Sequence, residues 1–309
     1  MGRIWRYGLW CGLLLWWCSG AVLADCVGLV AGAGGKRFWS EVVLGAKLAG
    51  QDLGVRVHAL TPMDEEDDTQ REAINRLVAM GCQGLVIAPS STAREAHVAL
   101  LRKQGITTLY LDRDLPGERV AVVATDNGAA GELAALRLGQ ALGGHGRVLL
   151  VRLKPGIPST DARELGFARG AREAGLQLSY SPYLGLGVGE ARSVLHHFLR
   201  EAGPFDGIFS VNESTTMAVA VVLRELALSP APVHIGFDLD PLLAQAIRDR
   251  RLYGVMVQQP RQLGYLAVQR LVGVLRGQTV EEHQLIPARF VDLEALARPE
   301  LAAMIANQE

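Results

Sequence analysis

From about residue 27 onward the chain alternates short apolar runs with segments of helical period, and this alternation restricts the fold more than any other feature. The runs are VGLVAG near 27, VRVHAL near 55, GLVIAP near 84, TTLYLD near 107 and VAVVAT near 120. They continue as RVLLVRL near 147, LQLSYS near 176, GIFSV near 207, VHIGF near 233 and YGVMVQ near 253. Between them lie amphipathic stretches such as FWSEVVLGAKLAGQDLG and QREAINRLVAMG, several closing on glycine as helices tend to do. Unbroken apolar runs suit strands covered on both faces, and parallel neighbours need a long crossover between them. The pattern predicts an α/β chain with doubly wound, Rossmann-like parallel sheets. One block ends near Asp126 and the next begins near Asn127, with no Pro/Ser-rich tether between them, so two lobes joined by short strand-like crossings are expected. With 309 residues, each lobe can hold its own core.

The first residues, MGRIWRYGLWCGLLLWWCSGAVLADC, set Arg3 and Arg6 before an apolar run that ends in small residues at Val22 and Ala24. This reads as a secretory signal peptide over residues 1–24, cleaved after Ala24. The competing reading is a retained anchor, since residues 7–24 just reach spanning length. A lipid anchor on Cys26 fits less well, because Asp25 stands where a small residue should precede it. Cleavage leaves Cys26 and Cys82, each at the start of an apolar run. If those runs are adjacent parallel strands, the two thiols can be bridged in an oxidising compartment; the alternative is two buried free thiols.

GLVAGAGGKRFW, residues 28–39, resembles a phosphate-cradling loop at first sight. The dinucleotide fingerprint fails because Arg37 replaces its third glycine, and the P-loop fails because Val30 and Arg37 stand at required positions. No cofactor is expected. A net charge of −1 offers no basic stripe for nucleic acid. Acidic DEEDD at 64–68 lacks the glycine and distal glutamate of a calcium loop and reads as a solvated helix start. His196 and His197 are adjacent on a helix and point apart, so no metal is expected. The chain carries no G-x-S-x-G, H-E-x-x-H or C-x-x-C, and no catalytic residue is assigned.

In doubly wound sheets ligands bind at the carboxyl ends of the strands. Those positions hold Lys36, Phe38 and Trp39 after the first run, Asp112 and Arg113 after TTLYL, and Arg163 past RVLLVRL. They also hold Asn212 after GIFSV, Asp238 after VHIGF and Gln258 at the end of YGVMV. Carboxylates, amides and guanidinium groups can each grip two adjacent hydroxyls, and an aromatic face covers the C–H patch of a sugar ring. Each residue also has a plain structural reading: Asp112 and Arg113 as a local ion pair, Asn212 as a helix cap, Phe38 as core. NES at 212–214 matches a glycosylation sequon but reads as part of the binding turn.

The segments KRFW, LDRD, STDARELGF, VNES, IGFDLD and VQQPRQLG together resemble the motifs of periplasmic sugar-binding proteins of the ribose-binding type, type I periplasmic binding proteins, over nearly the whole chain past the leader. The resemblance implies that Phe38, Trp39, Asp112, Arg113, Arg163, Asn212, Asp238 and Gln258 contact a monosaccharide or related small polar ligand. It implies lobes of residues 25–126 plus 259–287 and 127–258 plus 288–309, joined by three hinge crossings near Asp126, Gln259 and Pro287. It further implies a monomeric periplasmic receptor that closes over its ligand and presents it to the membrane permease of an ABC importer; the alternative reader is a histidine kinase or chemoreceptor. A repressor sharing this core would begin with a helix-turn-helix domain in place of a signal peptide. Two departures stand out: Lys36 replaces the family's Asn and adds positive charge, and an aromatic of the second ring face is Leu186 or a neighbour.

Overall fold

Each apolar run becomes a strand and each amphipathic stretch a helix in the computed structural model, which describes residues 26–298 apart from 34–35, 65 and 186–187. The expected signal peptide and Leu186 lie outside the described residues. The first block runs β1 (Cys26–Val30), α1 (Lys36–Leu53), β2 (Arg56–Leu60), α2 (Asp67–Ala79), β3 (Gly84–Ile87), α3 (Ala93–Lys103), β4 (Thr107–Leu111) and β5 (Val122–Thr125). The second runs α4 (Asn127–Ala141), β6 (Arg147–Arg152), α5 (Pro158–Glu173), β7 (Gln177–Tyr183), α6 (Val188–Glu201), β8 (Gly207–Ser210), α7 (Glu213–Leu226), β9 (Val233–Phe237), α8 (Pro241–Arg248) and β10 (Gly254–Val257). The chain then returns to the first lobe as α9 (Pro260–Leu275) and β11 (His283–Ile286), and finishes in the second as β12 (Arg289–Asp292) and α10 (Leu293–Leu296).

The sheet orders are β11-β5-β4-β3-β1-β2 and β12-β10-β9-β8-β6-β7, six described strands in each. The first is parallel throughout; the second is parallel except at its edge, where β12 runs antiparallel to β10. The expected parallel sheets hold except at that edge strand: only two residues separate Ile286 from Arg289, so the chain passes directly into the second sheet, where Arg289 pairs with Val257 at the end of β10 and β12 runs back along it in the opposite sense. The inner strands β1, β3 and β5 are buried at every residue, which is why they read as unbroken apolar runs. β1 and β3 are neighbours, and their starts bring Cys26 and Cys82 to a Cα separation of 4.6 Å, where they form a disulfide.

Helix starts are set locally. Asp126 caps α4 by accepting the Ala129 N–H, Asp240 caps α8 by accepting the Leu243 N–H, and Pro158, Pro241 and Pro260 occupy first turns whose N–H groups have no helical partner. In each lobe the entry helix packs closely on one other helix. Between α1 and α9 a Cβ on Gly45 would lie 1.8 Å from the Arg261 carbonyl oxygen, and one on Gly264 would lie 1.9 Å from that of Val42. Between α4 and α5 a Cβ on Gly131 would lie 2.1 Å from the carbonyl oxygen of Arg163. Only glycine permits these approaches.

Candidate functional site

The carboxyl ends of both sheets meet where the chain crosses between lobes. Asp126 donates its backbone N–H to Ile286, and the Gln259 side chain donates to the Pro287 carbonyl at 2.9 Å, so adjacent crossings are tied to each other. Thr125, the last residue of β5, donates its hydroxyl to Gln258 Oε1 at 2.8 Å, and Gln258 Nε2 donates to Asp238 Oδ1 at 2.9 Å. A buried polar line thus runs from the first sheet, through a crossing, to the end of β9.

Asp112 follows β4 and Asp238 follows β9, the fourth strand of each block. Both adopt left-handed backbone, with φ of 67° and 66°. Aspartate tolerates this region better than most residues, but at a cost that persists where the surroundings enforce it, as they do at functional sites.

On the second lobe Arg163, only 3% exposed, projects from α5 and is gripped from two sides. Its Nε donates to Asn127 Oδ1 and its Nη1 to the Val211 carbonyl, both at 2.8 Å, while the guanidinium carbon sits 3.6 Å from the centroid of the Phe237 ring. The close approach of Gly131 to Arg163 holds α5 against α4 and so brings the arginine to Asn127, at the start of α4. Burial lowers the Arg163 pKa, against the opposing pull of Asp238 and of Asp112 from the other lobe. Burial likewise raises that of Asp238, against Arg163, Gln258 and the backbone N–H of Glu213. Both partners are pushed toward their neutral forms, so the pair has been taken out of water further than its own contacts offset. Such a pair is well placed to gain from hydroxyl groups that donate to one member and accept from the other.

The first lobe contributes Asp112 and Arg113, both mostly buried, with Arg113 Nε 3.8 Å from Asp112 Oδ2 and Arg113 Nη1 donating to the Pro89 carbonyl at 3.3 Å. Phe38 is half-buried and meets Trp39 edge-on, with 4.9 Å between centroids. Trp39 belongs to the core of this lobe, 4% exposed, and a Cβ on Gly32 would lie 2.7 Å from its ring. The glycine after β1 therefore makes room for an indole, and Phe38 is the more exposed of the two aromatics. Lys36 is the first residue of α1; its side chain lies outside what is described. Asn212 caps α7 in a full capping box, accepting the Thr215 N–H at 3.1 Å, and donates its amide to Ser214 Oγ.

Three residues of this region escaped the reading of strand ends. Thr125 and Asn127 flank Asp126, where one block ends and the next begins, so the same strand-end rule applied to β5 finds them. Glu213 follows Asn212; burial and the nearby Asp238 and Asp240 raise its pKa, and Arg37 on α1 of the other lobe opposes them. The sequence carries no signal for that cross-lobe proximity.

A family model described as periplasmic binding protein domain matches residues 27–279. The chain is 24% identical over 267 residues to the ribose import binding protein RbsB of Haemophilus influenzae, covering 85% of this chain and 90% of that one. Among solved structures it is similar to the periplasmic component of an ABC-type sugar transport system from Hahella chejuensis, with 33% identity, TM-score 0.79, and coverage of 86% of this chain and 99% of that one. It is also similar to a carbohydrate transporter solute binding protein from Agrobacterium radiobacter in complex with D-arabinose, with 25% identity, TM-score 0.82, and coverage of 92% and 99%.

Proposed function

The chain belongs to the periplasmic binding protein family, and from that premise we propose that it is the periplasmic receptor of a sugar ABC importer, capturing a monosaccharide or close derivative between its lobes. The observation that carries this reading is the convergence of Asp112 and Arg113 from one sheet with Arg163, Asp238 and Gln258 from the other, around crossings that are themselves hydrogen-bonded. Polar groups on both walls give the ligand extra contacts in the closed state, and closure is favoured by that differential alone. The lobes divide after residues 126, 258 and 287, and the crossings there act as the hinge. Asn127 and Glu213 join Phe38, Asn212 and the five groups above in lining the site, with Trp39 behind Phe38, and Lys36 is kept as a ligand contact on sequence grounds alone. The relatives named for ribose import and solved with D-arabinose point to aldoses; Lys36 adds a preference for a sugar bearing an acidic group. The protein works by binding without a covalent step, as a monomer, after export and removal of residues 1–24.

Loss of that leader removes Trp5, Trp10, Trp16 and Trp17, so Trp39 is the sole tryptophan of the mature protein. Mature protein, unfolded and refolded to remove bound ligand, is titrated with pentoses, hexoses, sugar acids and polyols by calorimetry and by Trp39 fluorescence. Saturable heat with one of them, abolished when both Asp112 and Asp238 are changed to Asn, is the expected result. A flat calorimetric response across the panel overturns the sugar assignment. Because Trp39 is already buried, its fluorescence change should be small even where the heat is large.

A further inference from the structure

The second lobe carries a groove of about 640 Å³ at the end of its sheet opposite Asp238, below the starts of β9 and β10. It lies between the last turns of α7, the turn that follows α8, and the first turn of α10. Ile247 and Leu252 are its buried apolar residues, and Leu228, Tyr253 and Leu293 stand exposed around it. Apolar surface gathered in a concavity marks a place where another segment packs.

The course of the chain points to that segment. Leu293, the first residue of α10, lines the groove, while Ala295 and Leu296 are buried in one cluster with Ile247 and Leu252. The Arg298 N–H donates to the Ala295 carbonyl, and its guanidinium lies 4.0 Å from Glu294, another residue of the groove. The chain thus leaves the described residues about one and a half helical turns past the groove's edge.

The residues that follow are PELAAMIANQE, 299–309. Pro299 cannot continue α10 and suits the first turn of a new helix. Glu300 to Met304 are all strong helix formers, and Leu301, Met304 and Ile305 recur at i, i+3 and i+4, which sets them on one helical face. A stretch this short does not hold a helix alone in water, so its apolar stripe needs a surface to fold against. Charge is complementary as well: Glu300 opens the stretch, and Arg224 and Arg250 at the groove form no ion pair among the described residues.

We propose that residues 299–309 turn back as an amphipathic helix into this groove, with Leu301, Met304 and Ile305 against Ile247, Leu252 and Leu293. They act as a strap that fastens β12 and α10, the last elements of the second lobe, to α7 and α8. The groove lies at the far end of the strands from Asp238, so the strap stands or falls apart from the sugar reading.

The test uses the full mature chain with ¹³C-labelled methyl groups on methionine, leucine and isoleucine. Overhauser contacts from the Met304 methyl to methyls of Leu228, Ile247 or Leu293 are expected. A Leu301→Asp, Met304→Asp double variant changes only residues outside the described lobes. It should lose the groove contacts, shift the Leu228 and Leu293 methyl resonances and lower the urea midpoint of the second lobe, while sugar binding and the first lobe's resonances stay as in the parent. A Met304 methyl without contacts to the groove, or in contact with exposed Leu242 at the other end of α8, overturns the proposal. Unchanged Leu228 and Leu293 resonances in the double variant overturn it too. So does contact between separately labelled chains in a mixture of methionine-labelled and leucine-labelled protein, which would assign the groove to a second copy.

Discussion

The two lobes set an aspartate at the same point, past the fourth strand of each block and in the same left-handed conformation, yet they support it differently. Asp112 lies beside its sequence neighbour Arg113, itself held by Pro89 of the same lobe. Asp238 draws on three separate elements: Arg163 from α5, the Glu213 N–H from α7 and Gln258 from a crossing. The first lobe is also stapled by Cys26–Cys82, whereas the second contains no cysteine. In the proposed site the contrast is one of bracing: Asp112 pairs within a disulfide-stapled lobe and also feels the charge of Arg163 from the other lobe, whereas Asp238 is held by Gln258, which is itself tied to Thr125 of the other lobe.

The largest expected effect tests the bracing. The disulfide closes a loop with a sequence separation of 56, and chain entropy assigns such a loop about 4 kcal/mol. A Cys26→Ala, Cys82→Ala double variant should therefore lower the urea midpoint of the first lobe, while probes in the second lobe keep theirs. Parallel loss in both lobes would mean that they unfold as one unit, and the contrast in bracing would have no thermodynamic meaning.

Next in size is the contrast between the two aspartates. Asn keeps the left-handed backbone and removes only the charge. Asp238→Asn should weaken sugar binding by about a hundredfold or more, because it leaves Arg163 buried without its counter-ion. Asp112→Asn should cost about tenfold, since Arg113 retains the Pro89 carbonyl. Calorimetry of both variants decides the matter: equal losses would show that the lobes share the ligand evenly.

The smallest effect distinguishes the lobes by pH. Glu164, next to Arg163, has a buried Oε1 with no hydrogen-bond partner; burial and Asp161 raise its pKa to about 7, and Arg152 opposes them. The folded pKa lies above the unfolded value near 4.5, so the folded state holds the proton more tightly. This stabilisation is fully present below pH 4.5 and is lost as pH rises through about 7. Melting temperature should accordingly fall across that window in the parent protein and change less in Glu164→Gln. The same slope in both proteins would remove Glu164 from the account.

The alternation that fixes the fold was legible because the inner strands are covered on both faces. β11 and β12 were not among the apolar runs: HQLI and RFVD are four-residue edge strands with exposed positions, and polar residues there cost nothing. Asp112, Arg113, Asp238 and Gln258 could be picked out because charged or amide groups interrupt apolar strand ends, whereas Arg163 lies beyond the end of β6, inside α5. Trp39 shows the limit of that rule, since an aromatic after a strand reads alike whether it lines a wall or fills a core, and only the room left by Gly32 separates the two. Asn212 shows another: capping uses its amide oxygen, so a residue read as either cap or ligand contact can be both.

Gln258 ties Thr125 to Asp238 through the two ends of one amide. A receptor must keep its cargo long enough to meet an acceptor and then let go, and that dwell is a matter of timing rather than affinity. On the proposed reading, in which Asp238 faces the cargo and the crossing beside Gln258 is a hinge, escape of the cargo and opening of the joint are coupled through the same two bonds. One clock then governs both events, and a change that hurries one hurries the other.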